Sequence, residues 1–478
     1  MRALNRPGEA AGSWAFWVST VILAAGAVVL GSAFLYSALN HEYYSGAPRV
    51  MRFFLYAVAP LTAVSLAVSL WLLTTHARIR LALLLTSIFI GSYAAEAGAV
   101  FLRILATWRE PVAIAGDFRS KRQVVKALRD EGKRAFPDFR AEVFLRIGSD
   151  GRARSVLEID GREVLPLGGT SKTTTIMCNE TGEWIIYVAD ERGFNNPQGV
   201  WAAQPLDLAI VGDSGTQGYC VPADQHWVAL VRRRIAATLN LGMAGNGPLL
   251  MLASLVEYLP SLKPRHVVWV YTEGNDMSNL EEEKRSQLLM RYLEPGFRQG
   301  LAEHQESIDT MLGARVDRGL ASSEGGVSPL SREQGTLADF LRLTSSRRAL
   351  NLSYGYRLWG DSALFRKILT TARNRVAAWG GKLYFAYLPS RYQEGLLNDT
   401  AAVQREIVTI ASDLNLPVID IRRVISKYPA AQQSALQGQR PSDRHMANFG
   451  LQAGGHYSVE GNRLVAEAVL SALPLGLR

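Results

Sequence analysis

The chain has few cysteines and no low-complexity tract, and these absences exclude several classes of protein. Only Cys178 and Cys220 occur among 478 residues, which rules out a disulfide-rich scaffold and a four-cysteine zinc site. The net charge of +9 is too diffuse to indicate a nucleic-acid binder by itself. With 48% hydrophobic and 20% charged residues, the chain is neither disordered nor fibrous. Its length is enough for two or three domains.

Apolar residues are concentrated in three segments within 1–109. Trp14 to Leu39 and Phe53 to Thr75 carry no charge, and Leu81 to Leu102 carries only Glu96. Each is long enough to cross a bilayer core, which takes roughly 20 helical residues. The first run is too long for a signal peptide, and two more come after it. The sequence therefore predicts three transmembrane helices.

Glu96 and the orientation of these helices each leave alternatives open. Glu96 could contact another membrane protein or Arg103, but the favoured interpretation ends the membrane core near Ala95 and places Glu96 at the interface. Lys and Arg near helix ends should mark the cytoplasmic side. They occur before, between and after the predicted helices, so the short loops do not discriminate. The basic stretch from Arg109 to Arg134 would by itself favour a cytoplasmic location for the C-terminal part of the chain.

The next segment, 110–205, has a mixed α/β pattern. Ser120 to Ala135 is typical of a helix. Val143 to Ile147 and Ser155 to Ile159, joined through Ser149-Asp150-Gly151, predict a hairpin. A further strand is predicted from Trp184 to Val188. We interpret this segment as a small subdomain.

From residue 206 to 478, apolar strands alternate with helices, which favours a parallel sheet covered on both faces. A charged, helical insertion is expected at about 280–365, containing the loop from Ser322 to Gly326. The predicted strands are Leu206 to Val211, His266 to Tyr271, Leu383 to Leu388 and Pro417 to Ile421.

Polar blocks stand where this part of the chain would present its chemistry, at the carboxyl ends of the strands. Ser214 lies in Gly212-Asp213-Ser214, on a strand-to-helix turn that would expose its hydroxyl. Gly245 lies in a glycine-rich loop, and Asn275 comes after the next strand. His456 precedes the last helix and can act as a base near neutral pH. Each block alone is weak evidence.

In their order and spacing, the four blocks resemble the SGNH (GDSL-type) hydrolase family over roughly 206–478. The resemblance implies an α/β/α flavodoxin-like fold, with Ser214 as nucleophile and His456 as base. It also implies an oxyanion hole formed by the Ser214 amide, the Gly245 amide and the Asn275 side chain. The segment from Gly193 to Pro197 looks like membrane-anchored bacterial members of this group.

The sequence departs from the family pattern at two positions. Gly215 comes directly after the serine, where the family usually has an aromatic residue or leucine. Ala453 stands three residues before His456, where the family has the aspartate that orients the histidine. Three alternatives are open: a backbone carbonyl orients His456 in a Ser–His dyad, Asp443 reaches in, or activity is weak or lost.

Membrane-anchored hydrolases of this kind generally face outward, and a Cys178–Cys220 disulfide would fit that compartment. We therefore expect a multi-pass protein of the bacterial inner membrane, with the hydrolase domain in the periplasm or at the cell exterior. The two cysteines could meet across the wall of the active site.

The expected activity is that of a serine ester hydrolase or O-acyl transferase acting on a glycan or lipid ester. The alternative is a non-catalytic envelope protein that binds glycan or a membrane partner. Beyond substrate and membrane lipid, another membrane protein is a candidate partner, and nothing indicates nucleic acid. We expect no cofactor and no metal site, since His445 and His456 have no third ligand nearby.

Overall fold

A computed structural model describes residues 7–41, 44, 49–109, 117, 119–180, 182–321, 340–341, 343–349, 360–390, 400–429 and 456–474. The chain forms two compact units. The first comprises 1–109, 328–355 and 393–399, and the second comprises 110–327, 356–392 and 400–478.

The first unit contains three helices long and apolar enough to span a membrane, as predicted. The second of them includes one π-helical turn, Phe54–Val58. The third begins at Thr75 rather than Leu81, so Arg78 and Arg80 belong to a helix and not to a loop. The helical segments are Pro7–Leu39, Arg49–Phe53, Ala59–Leu72 and Thr75–Arg109.

Glu96, on the third helix, is buried and has a partner that the sequence did not indicate. Its two carboxylate oxygens accept the backbone N–H groups of Ser345 and Ser346, at 2.8 and 2.7 Å. These amides belong to the first turn of the helix Thr344–Ala349. The carboxylate therefore contacts a later segment of its own chain, and its expected position at the membrane interface stays a prediction.

The second unit opens with a small α/β part. The helix Lys121–Asp130 begins at a capping box, in which Ser120 and Gln123 satisfy each other's backbone N–H groups. The strands of this part are β1 Ala135–Pro137, β2 Leu145–Ile147, β3 Ala153–Ser155, β4 Leu157–Ile159, β5 Arg162–Val164, β6 Thr174–Cys178 and β7 Ile185–Val188. The predicted hairpin pairs β2 with β3, and a second hairpin pairs β4 with β5, so the run from Ser155 to Ile159 is divided between two strands. A further sheet has the order β1-β6-β7.

The larger part of this unit is built on a five-stranded sheet in which every pairing is parallel. Numbered along the chain, its strands are ordered 2-1-3-4-5, the flavodoxin-like order. The short edge strand Thr238–Asn240 was not predicted, because three residues are too few to show the hydrophobic periodicity of a strand. The strands are β8 Leu208–Val211, β9 Thr238–Asn240, β10 His266–Thr272, β11 Lys382–Leu388 and β12 Val418–Asp420.

Alternate residues of the central strands enter two separate hydrophobic cores. Ala209 and Val211 of β8 pack in one core, whereas Leu208 and Ile210 pack in the other. Because both faces are buried, these strands are continuously apolar, as the sequence indicated. The fold is therefore an α/β/α sandwich. Helices that cover the sheet include Pro248–Tyr258, Ser362–Ala377 and Thr400–Asp413 on one face and Trp227–Arg232, Ile421–Ile425 and Val459–Ala472 on the other.

The described part of the expected insertion is largely helical, with a non-helical stretch at 294–300. It contains Asp276–Glu283, Gln287–Met290 and Gln305–Ala321. The loop from Ser322 to Gly326 lies outside the described residues.

Candidate active site

Ser214 stands at the carboxyl end of β8, where the chain turns into the one-turn helix Ser214–Gln217. Asp213 caps this helix by accepting the N–H of Gly215 at 2.9 Å. The Ser214 hydroxyl lies 3.0 Å from His456 Nε2, a hydrogen-bond distance between a nucleophile and a general base. The structure thus brings together the two residues that the sequence predicted as nucleophile and base.

His456 is oriented by a carboxylate. Its Nδ1 lies 2.9 Å from Oε1 of Glu180. With Nδ1–H donating to Glu180, Nε2 is left as the acceptor for the serine proton, which is the arrangement a Ser–His–acid triad requires. The side chains of His456 and Glu180 are about one-fifth exposed, at 23% and 20%. Both side chains are therefore partly open to solvent.

Glu180 is the site residue that the sequence did not reveal. It comes just after β6, in the segment that precedes the parallel sheet, and lies 276 positions from His456. Asp443 and Ala453 lie outside the described residues. Glu180 occupies the place for which a backbone carbonyl or Asp443 was considered. The sequence feature that could have indicated Glu180 was its position two residues after Cys178, a cysteine expected near the active site.

Tyr219 covers His456. The two ring centroids are 4.7 Å apart, with the planes inclined by 39°. Burial raises the pKa of the Tyr219 phenol, so this group stays neutral and cannot compete with His456 as a base. Its ring packs against the imidazole in a tilted aromatic contact.

Asp213 accepts hydrogen bonds from polar groups around Ser214. Its carboxylate accepts the Thr272 hydroxyl at 2.9 Å and Asn275 Nδ2 at 3.0 Å. Burial, with Asp213 nearby, raises the pKa of Asp276 well above its usual range. Asn275, the predicted oxyanion donor, is held by its hydrogen bond to Asp213, the residue that precedes Ser214.

The glycine loop is bonded to the serine turn. Met243 N–H donates to the Gly212 carbonyl at 3.3 Å, and Ala244 N–H donates to Gln217 Oε1 at 2.8 Å. Gly245 has φ +83°, and a Cβ at this position would lie 1.9 Å from Glu142 Oε2. A side chain at this position would have to displace the Glu142 carboxylate, in a backbone conformation that glycine adopts far more readily than other residues.

The segment from Gly193 to Pro197 is hydrogen-bonded to the backbone of the same region. Asn195 Nδ2 donates to the Gln217 carbonyl at 2.8 Å. Asn196 exchanges hydrogen bonds with the backbone of Asn240, at the end of β9. These buried amides fix the loop that carries Gly245 relative to the turn that carries Ser214.

Cys178 and Cys220 form a disulfide, as expected, with their Cα atoms 5.6 Å apart. Both cysteines are buried. Ligand atoms of Glu180, Cys220 and His456 all lie within 4.8 Å of one another. Because the Cys220 sulfur is part of the disulfide, it is not available as a thiolate ligand, and we do not assign this group as a metal site.

No family model matches the chain, and no curated protein matches it. It is similar to three solved structures: a lipolytic protein of the G-D-S-L family from Desulfitobacterium hafniense, the acetyl xylan esterase AlAXEase, and a lipase/acylhydrolase from Enterococcus faecalis. The identities are 14%, 14% and 17%, over 56%, 56% and 55% of this chain and 99%, 99% and 93% of the others. The TM-scores are 0.32, 0.32 and 0.31.

Proposed function

We propose that this protein is a membrane-anchored serine ester hydrolase or O-acyl transferase with a Ser214–His456–Glu180 triad. The observation that supports it is the pair of contacts on one imidazole, 3.0 Å from Nε2 to Ser214 Oγ and 2.9 Å from Nδ1 to Glu180 Oε1. A structural histidine needs no serine at the end of a strand on one side and a carboxylate on the other. The motifs that resemble the SGNH family supply the serine and the histidine, and Glu180 supplies the carboxylate that the histidine motif lacks.

In the first half-reaction, His456 Nε2 accepts the Ser214 proton as the oxygen attacks the ester carbonyl carbon. Glu180 holds Nδ1–H and stabilises the imidazolium that forms. The Ser214 amide, the Gly245 amide and Asn275 are the proposed donors to the oxyanion. His456 then delivers its proton to the departing alcohol, which leaves an acyl-serine.

In the second half-reaction, the acyl group passes from Ser214 to an incoming hydroxyl that His456 deprotonates. Water gives hydrolysis, whereas a sugar hydroxyl gives transfer, and the same residues serve both. A glycan or lipid ester is the proposed substrate because the chain pairs a site for ester chemistry with a membrane anchor.

We place this unit outside the cytoplasm, in the periplasm or at the cell exterior. The support is the buried Cys178–Cys220 disulfide, because such bonds persist in oxidising compartments. Alkylation of native bacterial membranes without reductant should modify neither cysteine, and alkylation after denaturation and reduction should modify both. Two thiols alkylated in the denatured but unreduced protein would contradict this location.

A non-catalytic envelope protein was suggested by the missing aspartate at Ala453. Glu180 removes that argument, since a carboxylate does lie against His456 Nδ1. Labelling of Ser214 with a fluorophosphonate tests the proposal directly. The purified full chain in detergent should label and hydrolyse an activated ester, and Ser214→Ala should do neither. Equal kcat in wild type and Ser214→Ala would exclude the assignment.

A further inference from the structure

The triad carboxylate comes from a different part of the unit than the serine and histidine. Ser214 and His456 are attached to the parallel sheet, whereas Glu180 lies in the segment just after β6. A carboxylate supplied from a separate segment needs a device to hold its distance from the imidazole. The Cys178–Cys220 disulfide is in the right place to be that device.

The disulfide joins the two sides of the triad by a short covalent path. Cys178 is the last residue of β6 and precedes Glu180 by two positions. Cys220 comes six positions after Ser214, directly beyond the turn that begins with it. The bond therefore links nucleophile and carboxylate through about ten residues, whereas the main chain between them runs through more than thirty.

The bond also lies against the triad itself. The Cys220 sulfur is within 4.8 Å of ligand atoms of both Glu180 and His456. Next to it in sequence, Tyr219 lies against the imidazole. Cys220 has φ +61°, a left-handed conformation that residues other than glycine adopt only where the surroundings hold them. A cysteine tied at its sulfur is held in that way.

The backbone at the end of β6 is irregular and helps to direct the Glu180 carboxylate toward His456. The pairing of β6 with β7 is irregular between Ile176 and Cys178, and such bulges redirect the side chains beyond them. After Cys178, Asn179 Nδ2 donates to the Asp117 carbonyl at 2.6 Å, and Asp117 N–H donates to the Gly182 carbonyl at 2.7 Å. The disulfide fixes the Glu180 segment at Cys178, and these hydrogen bonds fix it at Asn179 and Gly182.

We infer that the Cys178–Cys220 disulfide positions Glu180, so that the enzyme works as a triad only when this bond is oxidised. The inference rests on the proposed function. A dithiol reductant would donate two electrons and two protons to the S–S bond, giving two cysteine thiols and a cyclic disulfide of the reductant. The released Glu180 segment would then leave His456 to act with Ser214 as a dyad.

A double-mutant cycle tests this inference in the full chain. The variants are Glu180→Gln, the pair Cys178→Ala/Cys220→Ala, and the triple variant, assayed for kcat and KM on an activated ester. Removing the disulfide should lower kcat at least about tenfold, with the cost of losing a triad carboxylate, about 10⁴, as the upper limit. In the Glu180→Gln background the same removal should change kcat less than about twofold, because the carboxylate that the disulfide positions is already gone.

The pH profile separates positioning from a loss of stability. Loss of the carboxylate makes the imidazolium less stable, so the acid limb of kcat/KM should move to lower pH in Glu180→Gln. Removing the disulfide should move that limb in the same direction, and the triple variant should show no further shift. A merely destabilised fold would lower the active fraction and leave the limb in place.

Reduction of the wild-type protein covers the case in which the cysteine variants fail to fold. Mass spectrometry reports the fraction of reduced protein, and kcat should fall with that fraction and recover on reoxidation. The Glu180→Gln protein, reduced in parallel, should keep its own kcat. Effects of Glu180→Gln and disulfide removal that multiply would overturn the inference, as would an unchanged kcat without the disulfide. Absence of fluorophosphonate labelling at Ser214 would instead count against the proposed function.

Discussion

Glu180 and His456 are 276 positions apart in the chain, yet Oε1 of the first lies 2.9 Å from Nδ1 of the second. We propose that this contact completes a triad in a chain with alanine where an aspartate is expected. A glutamate has one methylene more than an aspartate, which extends its reach from a separate segment. In this proposal the protein keeps the electrostatics of a triad with a different connection to the fold.

Glu180→Gln should lower kcat on an activated ester by up to about 10⁴, with KM nearly unchanged, because an amide can orient the wrong tautomer of His456 and cannot stabilise its charge. Steady-state kinetics at saturating ester measures it. Asp443→Asn is the matched comparison and should leave kcat at the wild-type value. If Asp443→Asn lowered kcat and Glu180→Gln left it at the wild-type value, the orienting role would belong to Asp443.

Asn275→Ala should lower kcat by about 10²–10³, the usual effect of removing one oxyanion donor. Thr272→Val is the control, since Thr272 also donates to Asp213 but is not a proposed oxyanion donor. Thr272→Val should lower kcat far less than Asn275→Ala does. Comparable losses in the two variants would mean that Asn275 acts by holding Asp213, and a change in KM alone would mean that it binds substrate.

Gly245→Ala should lower kcat sharply, because the new Cβ would displace either the loop or the Glu142 carboxylate. Gly132→Ala is matched in backbone conformation, with φ +79° and open space around a new Cβ. It should cost about 1–2 kcal/mol of stability for the left-handed conformation and leave kcat unchanged. Equal kcat in the two variants would remove Gly245 from the site.

Glu283 should make the protein less stable as the pH rises. Its carboxylate accepts the N–H groups of Gly247 and Leu249 at 2.6 and 2.8 Å, and burial raises its pKa from 4.5 to about 8. Because the folded pKa exceeds the unfolded one, its contribution is full below pH 4.5 and is lost as the pH rises through about 8.

The melting temperature of Glu283→Gln should therefore match that of wild type near pH 5 and exceed it near pH 8.5. Each kcal/mol corresponds to about 2–4 °C for a large domain. Thermal unfolding in detergent across this range measures the difference. Glu467→Gln, a substitution on an exposed helix surface, should show no such pH-dependent gain. A constant difference across the range would mean that Glu283 does not titrate on unfolding.

The sequence by itself was sufficient wherever the signal is local. Three apolar runs predicted three helices, because the hydropathy of a span is a property of consecutive residues. The central strands were recognisable because both of their faces are buried. Ser214 and His456 could be placed because each lies in a short motif next to a strand or a helix. The disulfide was expected from the resemblance and from two cysteines in one globular part.

Tertiary structure decided the features that depend on contacts between distant segments. Glu96 has its partners about 250 residues later in the chain, at 345 and 346, and a single glutamate among apolar residues does not indicate which amides will reach it. Glu180 has the same character, since its neighbours in sequence are polar and without a period. The role proposed for Glu180 depends on the packing that brings the segment after β6 to His456. The serine and the histidine could be recognised from local motifs, whereas the carboxylate beside the histidine belongs to a distant segment, so only the packed structure could identify it.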